Sequence, residues 1–351
     1  MNTEQTGLLV SKAVHDRLGD QLQALARAAG HALRLIVAPS QRGQPLPADE
    51  QASIRLGFFS RDIMQGSSKH TPGGASRAFF DIFDAAPRAQ WLHVCSAGID
   101  NPLYRPTLAR AVRLTTSSGG NAVPIAQTVV GAILCQSRGF TDWLAAQADR
   151  RWQPLAPARM ARDLHEQAAV IVGLGPIGRE IGRLLKAVGL TTIGVRRGAG
   201  AIPGLDRTCR PDALDELLPA CDWLVLACPL TAETRGLLDA RRIGLLPPRA
   251  GVVNIGRGEL MDETALAAAL REGRLRSAYL DVFATEPLPA DSPLWDAPHT
   301  WISPHNAGAS PGNDRRFTDI FLRNFMHWLN GEPFDNDATP AVRAGNNGDR
   351  S

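Results

Sequence analysis

The chain has 351 residues, 44% of them hydrophobic, and a formal charge of +3; that length exceeds what one hydrophobic core usually fills, so two domains are expected. The near balance of charge, with no basic run longer than a pair such as Arg196-Arg197 or Arg315-Arg316, argues against nucleic acid as the main partner. No stretch approaches the ~18 apolar residues of a spanning helix, which argues against a membrane partner.

The polar opening, residues 1–7, leads into the strand-like Leu8-Leu9-Val10 and does not resemble a secretory signal. Val14, Leu18, Leu22, Leu25 and Ala29 form a helical stripe that stops at Gly30. Short apolar runs at 33–38, 56–59, 91–95 and 112–115 predict a small α/β domain, short of helices. Ser117-Ser118-Gly119-Gly120 reads as a hinge. A long helix is predicted over 122–138, then a looser segment, 143–165, containing Pro154 and Pro157.

From Ala168 the pattern becomes strongly α/β. Strands are predicted at 168–172, 191–195, 223–227, 252–255, 278–282 and 300–303, with a clear helical stripe at Ile177, Ile181, Leu184, Leu185 and Val188. Six short strands separated by helices predict a doubly wound parallel sheet. A last helix over 315–329, capped by Asn330-Gly331, carries an apolar face (Phe317, Ile320, Phe321, Phe325, Trp328) that implies a return to the first domain. The tail from Asp335 is expected to be mobile. The domains are therefore drawn as 1–118 with 307–351, and 119–306. The five cysteines (Cys95, Cys135, Cys209, Cys221, Cys228) are scattered without a C-x-x-C pair, which suits small buried hydrophobes in a reducing cytoplasm and no metal site.

The chemistry gathers at predicted strand ends. The continuous strand 168–172 runs into Gly173-Leu174-Gly175-Pro176-Ile177-Gly178, and an amphipathic helix runs out of it. In this context Gly173 permits a tight turn, Gly175 the close approach of a pyrophosphate, and Gly178 close helix–strand packing. The next strand ends in Arg196-Arg197-Gly198 rather than in the carboxylate that accepts from a ribose 2′-hydroxyl. Arginine pairs with a 2′-phosphate, so NADP(H) is the expected cofactor, with NAD(H) as the alternative.

Arg257, in Asn254-Ile255-Gly256-Arg257-Gly258, is suited to clamp a carboxylate and polarise a neighbouring carbonyl, although a surface salt bridge would use the same residue. His305 follows Ser303-Pro304 and precedes the small residues Ala307-Gly308-Ala309. Glu286 follows the strand before it. A carboxylate beside His305 would orient the ring and favour its protonated form. All three lie at the carboxyl ends of strands, where open α/β sheets bind ligands.

These residues resemble the D-isomer-specific 2-hydroxyacid dehydrogenases. The resemblance runs from about Leu92 to Gly331 and includes Ser96-Ala97-Gly98-Ile99-Asp100, the glycine turn, Ala227-Cys228-Pro229-Leu230-Thr231 with Thr234, and residues 254–258. Asp281-Val282-Phe283 leading to Glu286-Pro287-Leu288, and Ser303-Pro304-His305, complete it. It implies a Rossmann nucleotide domain and a smaller flavodoxin-like substrate domain. In the implied roles His305 exchanges the proton, Glu286 tunes it, and Arg257 binds carboxylate and carbonyl. Backbone amides near Ser96, Ala97 and Gly98 help hold the carboxylate. Gly173, Gly175, Pro176, Ile177 and Gly178 line the pyrophosphate, Arg196 and Arg197 the adenosine end, and Cys228, Pro229 and Thr234 the ribose. Ile255, Asp281, His305 and Ala307 border the nicotinamide.

Gln127 stands where many members carry an acidic residue, and Arg196 where aspartate is commoner, as in the NADP-dependent glyoxylate/hydroxypyruvate reductase branch. The implied activity is reversible reduction of small 2-keto acids to D-2-hydroxy acids by a homodimer paired through the nucleotide domain. A non-catalytic dinucleotide-binding corepressor, or a phosphite- or formate-type dehydrogenase, are the alternatives.

Overall fold

The computed structural model describes residues 5–64, 72–99, 101–157, 160, 162–198 and 200–339. Asp100 of the Ser96–Asp100 motif and the tail beyond 339 lie outside the described residues. The chain divides into two compact units, Met1–Gly120 with Pro311–Ser351, and Asn121–Ser310.

The discontinuous unit carries β1 (Thr6–Val10), α1 (Lys12–Ala28), β2 (Leu33–Val37), α2 (Ala48–Ser53), β3 (Ile54–Phe59), α3 (Arg61–Met64), α4 (Gly74–Ala85), β4 (Trp91–Val94), α5 (Arg105–Leu108) and β5 (Arg113–Thr116). It is completed by the chain's last helix, α12 (Asn313–Asn330). Its five strands are parallel in the order β2-β1-β3-β4-β5, the flavodoxin-like order. Helix α1 starts where Ser11 accepts the Val14 N–H at 3.0 Å, and it buries Val14, Leu18, Leu22 and Ala26.

The expectation that this unit is short of helices is wrong. Besides α1, four further helices precede β5, and α4 alone buries Phe79, Phe80 and Phe83. Helix α12 covers the other face of the sheet. Its Phe321 stacks on Phe58 with centroids 3.9 Å apart, and Phe325 and Leu329 join the same cluster with Trp91. Gly331, at φ +68°, ends the helix in the left-handed conformation that glycine adopts without strain. The tail does not loosen at Asp335, because Asn324 accepts the Asp335 N–H at 2.7 Å and donates to its carbonyl at 3.1 Å. Asp337 then bridges to Thr115, and the Thr339 hydroxyl accepts the Leu114 N–H.

The continuous unit opens with α6 (Ala122–Ser137) and α7 (Phe140–Ala148). Part of the segment read as loose is therefore helical: α7 ends before Pro154 and Pro157. There follow β6 (Ala168–Val172), α8 (Pro176–Ala187), β7 (Thr191–Val195), β8 (Arg207–Cys209), α9 (Leu214–Leu217), β9 (Trp223–Leu226), α10 (Ala240–Leu245), β10 (Gly251–Asn254), α11 (Glu263–Arg271), β11 (Ser277–Leu280) and β12 (Thr300–Ile302). The sheet has seven parallel strands rather than six, in the order β12-β11-β10-β9-β6-β7-β8. The unpredicted strand is β8, three residues on the sheet edge with Cys209 as its one apolar side chain. The direction of winding reverses between β6 and β9, the position where doubly wound sheets leave a crevice for ligand. Two apolar clusters, one on each face, bury this sheet. No described helix is long and apolar enough to cross a membrane.

Candidate active site

Each predicted residue of the continuous unit sits in a loop that leaves the carboxyl end of a parallel strand or, for Pro176, Ile177 and Gly178, in the first turn of the helix that follows such a loop. The glycine turn joins β6 to α8. Gly173 has φ +99°, and a Cβ there would lie 2.6 Å from the backbone N and Cα of Cys228. A Cβ on Gly178 would lie 1.9 Å from the Gly173 carbonyl oxygen. A Cβ on Gly175, by contrast, would meet nothing within 4 Å. The turn is thus closed on the protein side by two glycines and open at the third. No side chain caps α8, Pro176 occupies its first turn, and no acidic residue stands there. The free N–H groups and positive helix end suit an anion such as a pyrophosphate, so these residues fit the dinucleotide that the sequence implies.

Arg196 and Arg197 follow β7. The Arg196 guanidinium folds over Gly198, where a Cβ would meet Nη2 at 2.2 Å, and the Arg197 carbonyl accepts from Arg210 at 3.4 Å. Arg197 is exposed. In the loop after β9, Thr234 Oγ1 donates to the Pro229 carbonyl and accepts the Thr231 N–H, each at 2.7 Å, so this hydroxyl fixes the loop's shape. The Cys228 backbone abuts the glycine turn, and burial pushes the pKa of its thiol up to about 11, which keeps it neutral.

Two loops meet around Arg257. The fully buried Asn254 donates to the Arg257 carbonyl at 2.9 Å and accepts the Gly256 N–H at 3.1 Å. Arg257 Nη1 donates to the Gly256 carbonyl at 2.7 Å. Gly258 lies so close to the next loop that a Cβ would be 1.9 Å from the Phe283 carbonyl carbon. That loop carries Glu286. One oxygen, Oε1, accepts the Phe283 N–H at 3.0 Å, and the other, Oε2, lies 2.8 Å from His305 Nδ1. Burial pushes the Glu286 carboxyl up, but hydrogen bonds from His305 and Phe283, with the charges of His305 and Arg257, bring it below the usual value. The structure therefore brings His305 onto Glu286 and the Arg257 charge within reach of Glu286, past the carboxyl ends of three neighbouring strands, although Glu286 is 29 residues beyond Arg257 and 19 before His305.

Asp281 organises the loop that bears His305. Its Oδ1 accepts from Ser303 Oγ at 2.5 Å, Asn306 N at 2.9 Å and Ala307 N at 3.0 Å. Its carbonyl accepts the His305 N–H at 2.8 Å. His305 itself takes φ +52°. Burial raises the Asp281 pKa against these donors and the His305 charge. Ile255 and Ala307 are buried beside this edge and belong to one apolar cluster.

Sequence reasoning missed Glu263, whose Oε1 accepts the Ala284 N–H at 2.7 Å and so supports the Glu286 loop. Burial first, and then the charges of Glu259, Glu286 and Asp262, raise its pKa against the lowering effect of the bond from Ala284. Its only signal was an acidic pair at the start of a helix. Gln127 is exposed on α6. In the other unit, Ser96 Oγ donates to the Gly98 carbonyl at 2.8 Å and lies 3.0 Å from the buried Tyr104 hydroxyl, closing the Ser96-Ala97-Gly98 turn.

Residues 130–307 match the family model described as D-isomer specific 2-hydroxyacid dehydrogenase, NAD binding domain. The chain is 31% identical over 261 residues to D-3-phosphoglycerate dehydrogenase of Sus scrofa, an alignment covering 73% of this chain and 48% of that one. It spans about half the length of the D-3-phosphoglycerate dehydrogenases it matches. Among solved structures, a D-isomer specific 2-hydroxyacid dehydrogenase from Xanthobacter autotrophicus Py2, in complex with NADPH and MES, is 26% identical with a TM-score of 0.72, covering 95% of this chain and 97% of that one. A probable 2-hydroxyacid dehydrogenase from Rhizobium etli CFN 42, in complex with NADP, HEPES and L(+)-tartaric acid, is 25% identical with a TM-score of 0.71, covering 97% and 99%. With the family match spanning nearly all of the glycine-turn unit, the chain belongs to the D-isomer specific 2-hydroxyacid dehydrogenases.

Proposed function

We propose that this chain reduces small 2-keto acids of the glyoxylate and hydroxypyruvate class to D-2-hydroxy acids, reversibly, with NADP(H) preferred over NAD(H). The observation that carries the reading is the 2.8 Å contact between His305 Nδ1 and Glu286 Oε2 beside Arg257. A reduced nicotinamide, when bound, supplies the hydride. Gly173, Gly175, Pro176, Ile177 and Gly178 would hold the pyrophosphate, and Cys228, Pro229 and Thr234 the ribose side. Ile255, Asp281 and Ala307 would border the nicotinamide.

With Nδ1 bonded to the carboxylate, Nε2 of His305 is the nitrogen that gives and takes the substrate proton. Glu286 holds the ring in that tautomer and stabilises its charged form. The Arg257 guanidinium would bind the substrate carboxylate and offset negative charge growing on the carbonyl oxygen. The Ser96-Ala97-Gly98 turn is proposed as a source of backbone donors for a substrate carboxylate. Arg196 and Arg197 support NADP(H), since a guanidinium pairs with a 2′-phosphate in charge-assisted geometry. The NADPH and NADP bound to the Xanthobacter and Rhizobium proteins agree with this choice.

A second copy of the chain is the proposed partner. Phe140, Trp143 and Leu144 on α7 are 45%, 42% and 57% exposed, and Trp152 is fully exposed, an apolar face of the kind that marks an interface. A reducing cytoplasm is the proposed compartment. The deciding experiment measures kcat/KM for a panel of 2-keto acids, with phosphite and formate as controls, using NADPH and NADH in turn. Turnover of glyoxylate or hydroxypyruvate with NADPH is expected. Cofactor binding without turnover of any 2-keto acid would overturn the enzymatic reading, and a clear NADH preference would overturn the role of the two arginines.

A further inference from the structure

Behind the His305 loop a hydrogen-bonded chain leads to Asp281 from two residues, Tyr279 and Ser303, that the proposed mechanism does not use. Tyr279, on β11, is 4% exposed, and its ring lies in the apolar cluster that α6 and α8 share with the sheet. A phenol buried among apolar side chains needs a partner for its hydroxyl. The partner is Ser303 Oγ, at 2.9 Å, just past the end of β12. Ser303 directs its own proton to Asp281 Oδ1 at 2.5 Å, so the phenol is the donor in the first link and the chain runs Tyr279 to Ser303 to Asp281.

The acceptor at the end of this chain is not an ordinary surface carboxylate. Its Oδ1 also receives the N–H groups of Asn306 and Ala307, and the main-chain carbonyl of the same residue receives the His305 N–H. His305 lies between these anchors with φ +52°, a conformation that a non-glycine residue holds only when its surroundings impose it. The geometry points to Tyr279 and Ser303 as positioning residues for His305: through Asp281 they fix the left-handed turn that sets the imidazole against Glu286. This inference rests on the catalytic reading proposed for His305.

Two effects follow from breaking the chain. The first is geometric: with one of three donors gone from Oδ1, the 305–307 turn is free to relax, and a displacement of about 1 Å at a reacting group can lower a rate by as much as ~10²-fold. The second is electrostatic. The charged groups facing the imidazole are Glu286 and Asp281, with Arg257 acting on Glu286 and Glu263 behind it. Burial already opposes the charged form of Asp281, and the Ser303 hydroxyl is the largest influence holding it down. Loss of that hydroxyl raises Asp281 further, and a relaxed turn draws the imidazole off the Glu286 carboxylate that favours its protonated form.

The test compares Ser303→Ala, Tyr279→Phe and Ser303→Thr for reduction of a 2-keto acid by NADPH across pH. Ser303→Ala is expected to lower kcat about 10-fold with a smaller change in substrate KM, and to move the alkaline limb of the kcat/KM profile to lower pH. Tyr279→Phe keeps the ring in the core and should move both quantities the same way by less. Ser303→Thr keeps a hydroxyl and should restore both. Folded Ser303→Ala and Tyr279→Phe proteins with wild-type kcat and an unshifted limb would overturn the inference alone. A His305→Gln protein that turns over normally would overturn the catalytic reading, and this one with it.

Discussion

Two of the three turn glycines have different surroundings, and replacing them separates folding from cofactor binding. In Gly178→Ala the new Cβ would stand 1.9 Å from the Gly173 carbonyl oxygen, against an ordinary contact of 3.4–4 Å, and the obstructing atom is backbone. Helix α8 must therefore shift by roughly 1.5 Å away from β6, an overpacking that costs about 3 kcal/mol. For a unit of this size that lowers Tm by about 6–12 °C. Gly175→Ala meets nothing within 4 Å, and its backbone, at φ −69° and ψ −173°, suits alanine. Its methyl would project only where a pyrophosphate approaches. Losing one charge-assisted hydrogen bond to that anion corresponds to about 1.5–3 kcal/mol, or roughly 10- to 100-fold weaker binding. Differential scanning calorimetry and fluorescence titration with NADPH read the two effects. Gly178→Ala should lose both stability and affinity, and Gly175→Ala affinity alone. A Gly175→Ala protein that binds NADPH with wild-type affinity would remove the pyrophosphate from this turn.

Four further outcomes are expected. His305→Gln should lower kcat by about 10²–10⁴, and Glu286→Gln should lower kcat/KM for reduction most strongly above neutral pH, where the charged ring most needs the carboxylate; a uniform loss across pH would assign Glu286 a purely structural part. His93 is fully buried between the Thr115 and Ser117 hydroxyls, and burial pushes it down to about 3. Its neutral ring contributes fully above about pH 6.5, and that contribution is lost as pH falls toward 3, at about 1.4 kcal/mol per pH unit. His93→Gln should therefore flatten the acid side of a Tm-against-pH curve, and an equal slope in both proteins would contradict this. If the proposed pairing holds, the unaltered chain should sediment as a dimer and a Trp143→Glu, Leu144→Glu protein as a monomer, and an unchanged coefficient would exclude this face as the interface.

The parts of the fold that could be read were those where local pattern and tertiary role agree. Residues 168–172 are continuously apolar because both faces of β6 are covered, and the stripe from Ile177 to Val188 faces the same cluster. Where they disagree, the pattern misled. Helix α4 opens on Gly73 and Gly74 and interleaves Asp81 and Asp84 with its phenylalanines, which hides its period. Strand β8 has edge pairing on one side only and little apolar content to mark it. Ordering of residues 335–337 comes from Asn324 and Thr115, both distant in sequence. At the site, Arg257, Glu286 and His305 were legible as chemistry placed at strand ends. The loads on Asp281 and Glu263 were not, since apart from the Ser303 hydroxyl they are backbone N–H groups from other loops, and no side-chain pattern reports where those point.

The covering of β3 and β4 by α12 has a consequence for biosynthesis. Phe58 and Trp91 leave the ribosome early, but their stacking partner Phe321 is made only after the whole of residues 121–310. At typical elongation rates that interval is about 10–40 s, long enough for the intervening Rossmann unit to be translated in full while the first sheet still shows bare aromatic rings. The amino-terminal third of the sequence thus belongs to the unit that matures later, and during synthesis it is the part with most need of a chaperone.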